Sequence, residues 1–109
     1  MTPTNMTPDE LFDDIAAELG PRGASSGAMF GKRALKAGGK AFACLKGDAL
    51  AFRLGAGTAD HAAALSIPGA ELFDPAGNKR PFKDWVAIPA AQAERWPGLA
   101  QVAFENLTA

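Results

Sequence analysis

Between Leu11 and Leu19 the apolar side chains Leu11, Phe12, Ile15, Ala16 and Leu19 recur at helical spacing and fall on one face. Thr7-Pro8-Asp9-Glu10, just ahead, has the parts of a helix start. Thr7 offers a capping hydroxyl, Pro8 suits the first helical position, and Glu10 can close a capping box. Gly20-Pro21 is expected to end the helix. From Ala24 the period shortens towards two. Ala28 to Phe30, Arg33 to Ala37, Ala41 to Lys46 and Ala49 to Leu54 read as strands. Gly38-Gly39 and Gly47-Asp48 have the residue types of two-residue hairpin turns, pairing Ala37 with Lys40 and Lys46 with Ala49.

A regular ladder built from those turns gives the sheet two faces. One shows Ala34, Lys36, Ala41, Ala43, Leu45, Leu50, Phe52 and Leu54 and is the expected core. The other shows Arg33, Leu35, Lys40, Phe42, Cys44, Lys46, Ala51 and Arg53, a small apolar centre ringed by cations. Gly55-Ala56-Gly57 reads as a linker, and Thr58 caps a short helix through Leu65 that Ile67-Pro68-Gly69 breaks. Glu71 to Phe73 and Trp85 to Ile88 look like two more strands. A last helix spans roughly Ala90 to Leu107, interrupted or restarted at Pro97. Its apolar seam is expected at Leu99, Ala100, Ala103 and Leu107, with Trp96 and Phe104 at the margins. The expected fold is α+β: an antiparallel hairpin meander with N-terminal, short middle and C-terminal helices packed on it.

Composition adds limits. The 109 residues suit a single domain, 1–109, with residues 1–6 as a short tail. The N-terminus lacks the basic and apolar regions of a signal peptide and no apolar run is long enough to span a bilayer, so a cytoplasmic setting is expected. One cysteine excludes an intrachain disulfide and a cysteine-based zinc site. The net charge of -1 conceals an uneven distribution. Residues 1–21 hold five acids and no base; residues 22–53 hold seven bases against Asp48; residues 54–109 hold six acids and four bases. The middle third is a basic segment in a nearly neutral protein.

Catalytic patterns are absent from the sequence. Gly27 to Arg33 misses a phosphate-binding loop by one residue of spacing, and Arg33 stands where a Ser or Thr is needed. Gly55-Ala56-Gly57 lacks the third glycine of a dinucleotide fingerprint. His61, the one histidine, reads as a helix-surface residue, and Cys44 as a small packing residue within a strand. Asp74-Pro75-Ala76-Gly77 has the residues of a β-turn, followed by the solvated Asn78-Lys79-Arg80. Phe82 and Trp85 are expected to bury while Lys83 and Asp84 stay wet. Lys79, Arg80 and Lys83 form a secondary candidate loop, since cations near aromatics can stack on single-stranded bases. No catalytic, cofactor-binding or metal residues are expected.

The order Met29-Phe30-Gly31, then Gly39-Lys40-Ala41-Phe42, then Arg80-Pro81-Phe82-Lys83-Asp84-Trp85-Val86 resembles the TfoX (Sxy) N-terminal domain family, over roughly Leu11 to Leu107. That resemblance implies an α+β domain with an antiparallel sheet and flanking helices. It also implies a link to competence regulation, where full-length TfoX proteins act as transcriptional co-activators alongside the cyclic-AMP receptor protein. The C-terminal helical domain of those regulators is not among these 109 residues, so a stand-alone domain is expected. The resemblance brings no catalytic residues. Two functions follow. One is a protein-interaction module that meets an acidic partner, or more weakly a nucleic acid, through Arg33, Leu35, Lys40, Phe42, Lys46 and Arg53. The alternative is a small-molecule binder or enzyme with a pocket near His61, Cys44 and Arg80.

Overall fold

The computed structural model describes residues 7–29, 31–74 and 81–108. The expected tail 1–6, the Pro75-Ala76-Gly77 portion of the turn, and Lys79 and Arg80 lie outside them. The chain is an α+β domain: helix α1 (Pro8–Leu19), strands β1 (Ser25–Met29), β2 (Lys32–Ala37), β3 (Lys40–Lys46) and β4 (Ala49–Arg53), helix α2 (Ala59–Leu65), strands β5 (Glu71–Phe73) and β6 (Phe82–Pro89), and helix α3 (Trp96–Thr108). The six strands form one antiparallel sheet in the order β1-β2-β3-β4-β6-β5.

Local chemistry explains the ends of the elements. The Thr7 hydroxyl accepts from the Glu10 amide at 3.2 Å, and the Glu10 carboxylate accepts from the Thr7 amide at 2.9 Å. That closes the capping box and satisfies two amides that helical geometry leaves bare. Gly20 does not end the first helix by a left-handed turn. Its φ is -51°, and the chain runs on as a 3-10 turn over Gly20–Arg22 until Gly23, at φ 114°, reverses it. Gly20-Pro21 thus ends the α-helix after Leu19, as expected, and opens a tighter 3-10 turn whose first positions tolerate proline. At the β2–β3 turn Gly38 and Gly39 have φ of 59° and 82°, the double left-handed conformation that matches strand twist and that side chains resist.

The register agrees with the regular ladder only part-way. Ala37 stands opposite Lys40, and Lys46 opposite Ala49. Beyond Lys36–Ala41, however, the pairing jumps to Leu35–Ala43 and Ala34–Cys44. Phe42 is the surplus residue, a β-bulge in β3. A slip of one residue exchanges the faces of everything beyond it. Leu35 and Phe42 therefore join the main core, while Ala34, Lys36 and Ala41 leave it.

That main core lies between the sheet and the helices. Phe12, Ile15 and Leu19 of α1 and Ala100, Ala103 and Phe104 of α3 pack on Leu35, Phe42, Ala43, Leu45, Leu50, Phe52 and Val86. The Phe42 ring meets Phe104 edge-on at 5.5 Å, a favoured aromatic geometry. Trp96 and Phe104 are central, not marginal: both are buried, whereas Leu99 and Leu107 are half-buried. The chain enters α3 through a 3-10 turn over Ala90–Arg95, kinked at Gln92. The Trp96 indole donates to the Ile88 carbonyl at 3.1 Å and so ties that entry to β6.

Candidate functional site

The helices occupy one face of the sheet. Among the described residues no helix lies on the other, which we call the open face. At its centre Cys44 and Ala51 pack with Phe73 and Trp85, flanked by the half-buried Ala41 and Ala87. Trp85 lies 5.7 Å from the Phe73 ring and Phe82 meets Phe73 edge-on at 6.2 Å. Trp85 is buried as expected, but in this smaller cluster; Phe82 keeps 36% of its surface exposed.

The bulge divides the cations and apolar residues expected to share this face. Arg33, Leu35 and Phe42 are on the helix-covered side, and Lys40 is exposed at the hairpin end opposite Ala37. Lys46 and Arg53 remain on the open face, with Cys44 and Ala51. Lys32 and Lys36 join them, because Lys36 pairs with Ala41 and Lys32 precedes Ala34 by two positions on the same strand. Of the secondary candidates, Lys83 is exposed at the start of β6, while Lys79 and Arg80 lie outside the described residues.

The cations also differ in what they touch. Arg33 bridges Asp13 at 2.5 Å and Asp9 at 3.3 Å, and its guanidinium stacks 4.4 Å over the Phe12 ring. Asp13 above all, then Asp9, holds it protonated even more firmly than is usual for arginine. Arg22 meets Glu105 at 3.4 Å and lies 5.3 Å over Phe104. These two arginines fasten helices with charge and stem together. On the open face, Lys46 donates to the Asp74 carbonyl, and Lys32, Lys36 and Arg53 have no ion pair among the described residues. Glu71, on the far edge, is the one strand carboxylate on that face among the described residues.

The groups with catalytic potential are occupied structurally. Cys44 is fully buried, and burial pushes its thiol up to about 11, outweighing the opposing pull of Lys32. A thiol held neutral is a poor nucleophile. His61 is not a surface residue. It is 8% exposed, and its Nε2 lies 2.7 Å from the Lys83 carbonyl, which joins α2 to β6. With the carbonyl as acceptor, that nitrogen is the donor. His61 and Cys44 belong to opposite sides of the sheet, so they do not line one pocket. Three surface cavities of about 310, 390 and 390 Å³ are lined by neither of them. Among the described residues no group of three His, Cys, Asp or Glu side chains is placed to hold a metal.

Sequence reasoning missed Lys32 and Lys36. A signal was present. The regular register strands Leu35 and Phe42 among cations while placing Lys36 in the core, a conflict that one bulge removes. Comparisons of the chain with protein-family models, with curated proteins and with solved structures found no match.

Proposed function

We propose that this chain is a non-catalytic binding module whose open sheet face takes an acidic protein surface. One observation supports this most: the basic segment is sorted. Arg22 and Arg33 are neutralised by helix carboxylates, whereas Lys32, Lys36 and Arg53 share the face without helices and have no ion pair among the described residues. Like charges gathered on one surface repel one another and draw in an opposite charge, even on a nearly neutral protein. The centre of the face is already packed by Trp85 and Phe73. It offers charge on a firm platform rather than an apolar pocket, which suits a partner steered by electrostatics.

The engaged state of Cys44 and His61 favours binding over catalysis. The likeness to the TfoX N-terminal domain family, with a regulatory role in the cytoplasm, belongs to the same proposal; its support is the motif order in the sequence together with the α+β architecture. The test is titration calorimetry with a glutamate-rich peptide, on the wild type and on the Lys32→Glu/Arg53→Glu variant. Binding to the wild type, weakened at least about tenfold in a variant of unchanged melting temperature, supports the reading. Equal binding by both defeats it. Stronger binding of a single-stranded oligonucleotide, falling steeply with salt, would make nucleic acid the partner instead.

A further inference from the structure

A sheet of this kind has two edges, and they differ. β5 is three residues long, with its register broken between Leu72 and Phe73, and short or irregular edges discourage pairing. β1 has neither protection. Its five residues, Ser25-Ser26-Gly27-Ala28-Met29, carry no charge and no proline, and they keep regular register with β2 throughout. Ser25 to Ala28 are exposed, and among the described residues nothing pairs with the outer edge.

The ladder's phase says which groups face outward. Met29 and Lys32 close the β1–β2 hairpin across two residues, and such a closing pair exchanges its hydrogen bonds. Antiparallel pairs alternate, so Gly27 and Ser25 bond inward like Met29. Ser26 and Ala28 then turn their N–H and C=O groups to the free edge.

Gly27 adds charge to this edge. The Lys36 side chain crosses from β2 and lies over it: Cε is 3.2 Å, and Nζ 3.6 Å, from the point a Cβ at Gly27 would occupy. The ammonium therefore rests above the outermost strand, on the open face. A strand added to β1 would run about 4.8 Å away, with alternate side chains on that face within reach of the ammonium. A second copy of this chain fits poorly, since twofold pairing about Gly27 would bring Lys36 against its twin, and like charges there are destabilising.

We infer that the β1 edge accepts an extended acidic segment of a partner as a seventh strand, with Ser26 and Ala28 supplying backbone hydrogen bonds and Lys36 selecting an acidic side chain beside Gly27. Main-chain pairing of this type supplies affinity, and alternating side chains supply choice. The inference rests on the acidic-partner reading above and names the form of that partner.

The test uses a peptide alternating Glu with Thr, and its Lys–Thr twin, on the full chain. The Glu peptide should slow hydrogen exchange at the Ser26 and Ala28 amides, and the Lys peptide should not. Ser26→Pro removes one outward N–H without touching the inward ladder, and should weaken binding at least about tenfold while the domain stays folded. Lys36→Glu should reverse the peptide preference, and it serves as the second variant should the proline unfold the strand. Binding that leaves both amides unchanged overturns the inference, as does no binding at all. Amides slowed by protein concentration alone would make a second copy the occupant, and overturn it too. If Lys32→Glu/Arg53→Glu loses the peptide but Ser26→Pro keeps it, the face reading stands and the edge inference falls. The converse pattern keeps the edge and removes the face.

Discussion

Individual side chains divide by what burial does to them. Trp96 is fully buried, and the Ile88 carbonyl satisfies its indole N–H. Trp96→Ala should cost about 3–5 kcal/mol, chiefly from lost packing. Trp85→Ala removes the anchor of the smaller cluster and should fall in the same range of about 3–5 kcal/mol. Urea unfolding of the two variants checks both figures, and an unchanged midpoint for Trp85→Ala would return that residue to a binding role. Cys44 makes a different prediction. Its thiol is raised from 9.0 to about 11 in the folded chain, so the unfolded chain ionises first. Stability from this group is fully present below pH 9 and lost as pH rises from 9 to about 11. The wild type should lose more stability across that window than Cys44→Ala, and below it a thiol reagent should label Cys44 only as fast as the domain opens. Rapid labelling of folded protein would contradict the burial. The packing role of Cys44 was legible because a small apolar residue inside a strand period has few other uses. The burial of His61 was not: its partner is the backbone carbonyl of Lys83, and a backbone carbonyl leaves no trace in composition or periodicity.

Elements were legible where local chemistry decides them. The capping box at Thr7, the Thr58 cap, which accepts from the His61 amide at 3.1 Å, and the two glycine-containing hairpins all appear where their residue types place them. Thr58→Ala should cost about 1 kcal/mol, since it bares a helical amide and frees the connection after β4; thermal unfolding would show the shift. The bulge at Phe42 escaped because local turn chemistry sets register only near the turn. Farther along β2 the helices decide, by burying Leu35 and Phe42 together. Phe42→Ala should therefore cost about 3–5 kcal/mol, the toll of a core phenylalanine, even though strict alternation back from the Gly47-Asp48 hairpin puts residue 42 on the other face. A loss below about 1 kcal/mol would place Phe42 outside the core.

For the whole molecule, one sheet separates two environments. Helices, paired arginines and the main core lie on one side; the small cluster and the cations Lys32, Lys36, Lys46 and Arg53 lie on the other. Among the described residues no helix is long and apolar enough to cross a membrane. The α+β architecture followed from period and turns, but the membership of the cationic face did not, because a single surplus residue in β3 exchanged Arg33 and Lys40 for Lys32 and Lys36. If the face without helices meets an acidic partner, as proposed, binding must be felt on that side of the sheet. Alanine methyl groups report on it directly, because they mark both sides of the sheet: Ala41, Ala51 and Ala87 on the open face, Ala43, Ala100 and Ala103 in the main core. In a methyl NMR titration with the glutamate-rich peptide, the first three should shift with peptide concentration while the second three hold still. Shifts confined to the second three, or none at saturating peptide, would contradict it.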